Sequence, residues 1–133
     1  MDAARRTECL SGTRKDTLKV IVEWVNNQAS EQNTLWLHGL AGFGKSTLST
    51  TIASIFRSSS QLGAFIFFNR DVTERSDPTS IIRTLAYQLG SSSANIGGAI
   101  CAVVERNSNI LISPLAYQFD KLILDPLLNA TLP

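Results

Sequence analysis

Residues 39–46 read Gly39-Leu40-Ala41-Gly42-Phe43-Gly44-Lys45-Ser46. This stretch fits the pattern G-x-x-x-x-G-K-[ST] at every fixed position. Glycine at positions 39 and 44 lets the backbone take positive φ and turn several N–H groups toward one point. Amides grouped in this way before a helix attract an anion, because the helix dipole and the unpaired N–H groups both favour negative charge. The stretch therefore predicts a phosphate-binding loop.

The end of the loop carries the side-chain chemistry. Lys45 supplies a mobile cation that can reach the β- and γ-phosphates of a nucleotide, and the Ser46 hydroxyl can coordinate Mg²⁺. Thr47 either approaches the α-phosphate or caps the helix, and the sequence leaves both interpretations open. We expect the phosphates to be surrounded by Gly39, Leu40, Ala41, Gly42, Phe43, Gly44, Lys45, Ser46 and Thr47.

The flanks of the loop predict a strand–loop–helix unit. Residues 34–38 form a short, apolar, β-prone run directly before the glycines, and residues 64–68 form a second run that is apolar on both faces. Helical spacing of apolar residues marks the segments 13–28, 45–57, 78–90, 96–104 and 115–123. This order predicts an α/β fold with parallel strands, flanking helices and a helix-rich C-terminal half.

Length and composition narrow the class of protein. The chain has 133 residues, 44% hydrophobic and 17% charged, which suits one globular domain and excludes a disordered chain. Its net charge of +1 gives no sign of a polyanion-binding surface, so we expect no nucleic-acid partner. Its longest apolar run is too short to span a membrane, and its charged N-terminus shows no secretory signal. We therefore expect an intracellular, cytoplasmic protein with no membrane partner.

Four further residues have weaker signals. His38 directly precedes the loop and is either a ligand or general base or, more simply, a side chain at a strand end. Cys9 and Cys101 lie far apart in the sequence, so we expect two buried or idle thiols in a reducing compartment and neither a disulfide framework nor a metal site. Pro126 is expected to weaken or bend the last helix.

Several segments together resemble one known family. Residues 9–14 match C-x-x-G-T-R and residues 36–47 match W-L-x-G-x-A-G-x-G-K-S-T. Further matches are F-F-x-R at 67–70, A-Y-Q-L at 86–89 and Q-F…L-I-x-x-P-L at 118–127. The set resembles the nephrocystin-3-like N-terminal domain of the NACHT group of P-loop NTPases, in the STAND branch common in fungal proteins.

The resemblance implies a fold and a function. The first dozen residues are polar, so we expect a loosely ordered segment at 1–12. The resemblance implies that 13–133 form the N-terminal part of a P-loop NTPase domain, truncated before the Walker B strand. It implies binding of ATP or ADP with Mg²⁺ as part of a signalling switch that self-associates in a longer protein. Gly12, Thr13 and Arg14 would neighbour the base or phosphates, or Thr13 would only cap a helix and Arg14 only face solvent. Arg70 would contact the γ-phosphate edge or a neighbouring subunit, or would be an ordinary charged loop residue.

The chain departs from this family at its end. The family's Walker B strand is a hydrophobic run that ends in acidic residues. Residues 121–125 resemble it, with three apolar residues and an aspartate after Lys121, but they continue a helical pattern. We therefore expect Asp120 and Asp125 on a helix surface and not in a Walker B strand. No residue is a convincing base for activating water, so we expect no hydrolysis by this chain alone, and turnover in a longer protein stays open. The alternatives are a non-catalytic truncated remnant and a small phosphotransferase resembling adenylylsulfate kinases.

Overall fold

The computed structural model describes residues 14–39, 42, 44–68 and 77–131. The chain divides into two compact units, Met1–Gln61 and Leu62–Pro133. Of the described residues, 69% are helical and none lies in a β-strand. The helices predicted from apolar spacing are therefore present, whereas the predicted sheet is not.

The first unit contains two helices on either side of the glycine-rich loop. Helix α1 spans Lys15–Asn26 and helix α2 spans Lys45–Ser58. The two helices pack against each other, and α2 buries Leu48, Ala53 and Phe56. Leu48 lies five positions before Ala53 and eight before Phe56, so at about 100° per residue the three fall within about 140° of the helix circumference, one broad apolar side.

The second unit is built from helices that follow a segment without regular secondary structure. Helix α3 spans Pro78–Ser92 and α4 spans Ala94–Arg106. The Asp77 carboxylate accepts the Thr79 N–H at 3.1 Å and the Ser93 hydroxyl accepts the Ile96 N–H at 3.5 Å, so both helices have side-chain caps. The C-terminal part contains a 3₁₀ turn at Ile110–Ile112, helix α5 at Leu115–Phe119, a π-helical turn at Asp120–Leu124 and helix α6 at Asp125–Thr131.

One hydrophobic core holds the second unit together. Its buried members come from α3, the 3₁₀ turn and the π-helical turn: Ile82, Ala86, Ile110, Leu122 and Ile123. Half-buried side chains from α3, α4 and α6 surround them. The core therefore joins segments that are distant in sequence, which fixes the second unit by tertiary packing and not by local helix propensity alone.

The helix around Pro126 does not break. A proline inside an α-helix lacks the N–H donor, and its ring collides with the carbonyl four residues earlier. Here the preceding turn is widened, because the Asp125 N–H donates to the Asp120 carbonyl five residues back. Pro126 itself is fully buried. The predicted weakening at Pro126 takes the form of a π-helical turn, which lets helix continue on both sides.

The predicted parallel sheet, and with it the incomplete P-loop NTPase fold, is wrong for the described residues. Both expected strands, 34–38 and 64–68, are free of helix but are not β-strands. A strand requires hydrogen bonds to a neighbouring strand, and at Phe65 a side chain takes that place. The Phe65 N–H donates to Gln88 Oε1 at 2.6 Å, and the Phe65 carbonyl accepts from Gln88 Nε2 at 3.1 Å. The apolar composition of residues 64–68 indicated burial, but it could not indicate whether another strand or a side chain would bond to their backbone.

Candidate functional site

The glycine-rich loop uses two glycines for backbone conformations that other residues rarely adopt. Gly44 has φ of 77°, as the sequence predicted, and Gly42 has φ of 88°. Gly39, the other predicted position, is not among the glycines with positive φ. Among the described residues, nothing lies within 4 Å of a methyl group added at Gly42, so the positive φ is what favours glycine there.

The N-terminus of helix α2 faces this loop without a side-chain acceptor. Gly44 is the N-cap residue, has no side chain to accept an N–H, and the first turn carries no acidic residue. The Gly44 carbonyl closes the first helical turn by accepting the Leu48 N–H at 2.9 Å. The positive end of the helix dipole is therefore not neutralised by a carboxylate within α2.

Lys45 reaches from the end of the loop back to its beginning. Its Nζ donates a hydrogen bond to the Gly39 carbonyl. Its Cδ lies 3.8 Å from the position of a methyl group added at Gly39. The ammonium group therefore lies beside the loop backbone, where it adds a full positive charge to that of the helix terminus.

Arg14 places a second cation at the loop. The residue immediately precedes α1 and is half-buried. Its guanidinium Nη2 lies 3.5 Å from the position of a methyl group added at Gly44. The structure thus brings Arg14, at the start of α1, close to Gly44 and Lys45, at the start of α2.

Ser46 and Thr47 occupy the first turn of α2 and are half-buried. The carbonyl of Ser46 accepts from Thr50 Oγ1 and that of Thr47 from Thr51 Oγ1, both at 2.9 Å. These back-bonds occupy the backbone carbonyls of residues 46 and 47 and use the hydroxyl groups of residues 50 and 51.

Six other predicted site residues fall outside the part of the chain that the structure describes, and one described residue, His38, lies on the surface. Leu40, Ala41, Phe43, Gly12, Thr13 and Arg70 lie outside the described residues, as does the segment 1–12. His38 is exposed, and its ring meets the edge of Trp36 at a centroid distance of 5.9 Å. Trp36 is itself 84% exposed, so His38 packs on a surface ring and not in a buried strand.

Sequence reasoning missed two features of the structure. The first is the role of Gly42, which the pattern treats as a free position. The second is the pairing of Gln88 with the Phe65 backbone, for which the only signal was a glutamine among the apolar positions of α3.

Across residues 14–39, 42, 44–68 and 77–131, no three His, Cys, Asp or Glu side chains are grouped as metal ligands. None of the helices described for this chain combines the length and apolar content of a membrane span.

Comparison with known families identifies the chain. The family model described as Nephrocystin 3, N-terminal, matches residues 12–133. The chain belongs to this nephrocystin 3 N-terminal family, which confirms the nephrocystin-3-like resemblance of its motifs. No match was found among curated proteins or among solved structures.

Proposed function

We propose that this chain binds the phosphates of ATP or ADP, with Mg²⁺, at residues 39–47. The observation that carries the proposal is the meeting of Arg14 and Lys45 at a glycine loop that precedes an uncapped helix. A helix N-terminus by itself is a weak anion site. Two cationic side chains beside it raise the local positive potential where a di- or triphosphate would lie.

Each residue has a distinct role in this proposal. Lys45 would exchange the Gly39 carbonyl for phosphate oxygens, because a charged acceptor makes the stronger hydrogen bond. Gly42 and Gly44 would keep side chains away from the phosphates, and the Ser46 hydroxyl would face Mg²⁺. Arg14 would add a second cation from the start of α1.

The proposal covers binding and not hydrolysis. In a longer parent protein, nucleotide occupancy at this loop would serve as a signalling switch coupled to self-association, as the resemblance to STAND-type NTPases implies. The fit of residues 36–47 to that family's loop supports this assignment, together with the two cations. An intracellular location follows from the same proposal, since ATP and ADP are intracellular ligands.

Titration of the purified chain with Mg²⁺ and fluorescent ATP or ADP tests the proposal. Lys45→Ala should weaken triphosphate binding by at least about tenfold, because a hydrogen bond to a charged group contributes about 1.5–3 kcal/mol. Lys19→Ala is the matched control, since Lys19 is exposed on α1 in an ion pair with Glu23 and loses the same charge. Its affinity should equal that of the unmodified chain.

Two results would contradict the proposal. One is the absence of binding at millimolar nucleotide in a chain shown to be folded by circular dichroism. The other is equal affinity for Lys45→Ala and Lys19→Ala, which would mean that only overall charge attracts the nucleotide. Arg14→Gln distinguishes the contribution of Arg14 from that of Lys45. It should weaken binding less than Lys45→Ala, because the Arg14 guanidinium lies beside Gly44 only, whereas Lys45 reaches back to Gly39.

A further inference from the structure

A cleft of about 350 Å³ lies in the second unit, along the line where α3 and α4 meet. Its walls are formed by Ala86 of α3 and by Ile100 and Val104 of α4. Leu111 and Leu122 also line it. The volume falls within the range of small-molecule sites, which are mostly apolar with a few polar groups.

Two glycines explain why the cleft exists. A methyl group added at Gly97 would lie 2.7 Å from the Gly90 carbonyl oxygen, so the two helix backbones touch at this point. Both glycines line the cleft at this contact. They bring the helices together without side chains of their own, and leave the space beside them to be lined by residues one and two turns away.

The polar groups of the cleft are few and one of them is charged. Arg83 is exposed and lines the cleft, and no ion pair to it occurs among residues 14–39, 42, 44–68 and 77–131. The Ser91 hydroxyl also lines the cleft and donates to the Tyr87 carbonyl at 2.8 Å, which leaves its lone pairs as acceptors. An otherwise apolar cleft thus carries one cation and, among its described lining residues, no anion.

We propose that this cleft binds a small amphipathic anion, with an apolar body the size of a medium-chain fatty acid and a single carboxylate. The apolar walls would bury the hydrocarbon, and the Arg83 guanidinium would pair with the carboxylate. A cationic amphiphile of the same length meets the same walls but is repelled by Arg83. The ligand's sign of charge therefore distinguishes this site from general hydrophobic adsorption.

Calorimetric titration with decanoate below its micellar concentration tests the proposal. Decanol and decyltrimethylammonium carry the same chain with no charge and with positive charge. Decanoate should bind most tightly, decanol more weakly and the cation least. Arg83→Gln should weaken decanoate binding by up to about fivefold, the range for one exposed charge pair, and leave decanol unchanged. Arg106→Gln, at the end of α4 and not in the cleft, should change neither.

Cys101 gives a second readout that locates the ligand. Its thiol is exposed and lines the cleft, so bound decanoate should slow its alkylation by iodoacetamide. Mass spectrometry of the Cys101 peptide measures this protection, with a free thiol such as N-acetylcysteine as the internal reference for reagent activity. Cys101→Phe places a ring in the cleft and should abolish decanoate binding measured by calorimetry.

Three outcomes would overturn the proposal. These are equal binding of all three amphiphiles, decanoate binding without protection of Cys101, and decanoate binding that Cys101→Phe leaves intact. Lys45→Ala should leave decanoate binding unchanged, so failure of the nucleotide proposal and failure of this one are separate results.

Discussion

The two units of this protein use glycine for opposite physical purposes. In the first unit, Gly42 and Gly44 adopt positive φ and keep a loop open beside two cations. In the second unit, Gly90 and Gly97 let two helix backbones touch. The first use gives little packing and a surface suited to a ligand. The second gives a tight helix contact beside a continuous core. A glycine is therefore informative about function only when its conformation and its neighbours are both known.

Substitution of neighbouring glycines in α4 tests the packing side of this comparison and has the largest expected effect. Gly97→Ala puts a methyl group 2.7 Å from the Gly90 carbonyl oxygen, which is backbone and cannot move aside without separating α3 from α4. Overpacking of this kind costs about 1–3 kcal/mol in the free energy of unfolding. Urea denaturation followed by circular dichroism measures it.

Gly98→Ala is the matched control on the same helix. Within the part of the chain that the structure describes, nothing lies within 4 Å of a methyl group added there. Alanine is a better helix former than glycine by about 1 kcal/mol, so this variant should gain stability. If both variants lose stability equally, helix α4 does not pack on α3 through Gly97, and the contrast between the two units fails.

Two glutamines in the second unit differ in how many of their hydrogen-bonding groups have partners. Gln88 makes two hydrogen bonds to the Phe65 backbone. Gln118 Nε2 donates to the Ser113 carbonyl at 2.7 Å and to the Leu111 carbonyl at 3.4 Å, but its Oε1 is buried and has no partner among the described residues. Gln88→Met should cost about 1–3 kcal/mol because it strands two backbone groups. Gln118→Met should reduce the free energy of unfolding by less, because the substitution also removes an oxygen that is buried without a hydrogen-bond partner among the described residues.

The denaturant midpoints of Gln88→Met and Gln118→Met, measured in the same series, show which variant loses more stability. A larger loss for Gln118→Met than for Gln88→Met would show that the buried Gln118 amide stabilises the unit more than the link between Gln88 and the Phe65 backbone. A difference near zero would mean that the Gln88 side chain does not take the place of a neighbouring strand at Phe65.

Gly42→Ala tests the conformational side of the comparison. No atom of the described residues lies within 4 Å of the added methyl group, so the expected cost is that of the positive φ of 88°, about 1–2 kcal/mol for an L residue. We expect lower affinity for ATP with little change in overall stability, because the strain is relieved by a shift of the loop away from its ligand-accepting shape. Fluorescent-nucleotide titration measures the affinity.

Asparagine provides the control at the same position. Asn tolerates positive φ better than Ala because its short side chain can bond locally, so Gly42→Asn should retain more of the affinity. Equal losses for Ala and Asn would indicate that side-chain bulk, and not backbone conformation, is what this position excludes.

Sequence patterns predicted the helices well because each carries its own signal. The apolar spacing of α1 and α2, and the Asp77–Pro78 start of α3, are local features, and the structure confirms them. Asp120 and Asp125 lie in the continuous C-terminal helical segment, as the pattern also predicted. A local signal of this kind needs no knowledge of distant neighbours.

The sheet could not be predicted in the same way, because strand pairing is a property of two segments. The run 64–68 was apolar enough for a buried strand, but nothing in it showed that Gln88 would satisfy the backbone of Phe65. The candidate site was a mixed case. The loop pattern located residues 39–47, whereas the approach of Arg14 to Gly44 had no sequence signal apart from the family resemblance.

The Lys121–Asp125 ion pair in the second unit gives the smallest expected effect. Lys121 Nζ lies 3.2 Å from Asp125 Oδ2, one turn along the helical segment that contains the π-helical turn. Its hydrogen bond to Asp125, and then the attraction of that carboxylate, raise the pKa of Lys121 above the ordinary lysine value. The stabilisation is therefore fully present below the pKa of unfolded lysine and is lost as pH rises through the raised folded value.

Lys121→Met should reduce stability at neutral pH and match the unmodified chain in strong alkali. The difference should be small and weakened by salt, because both side chains are more than 40% exposed. Denaturation curves at neutral and alkaline pH measure it, and a Lys121→Met difference that grows with rising pH would contradict the assigned sign.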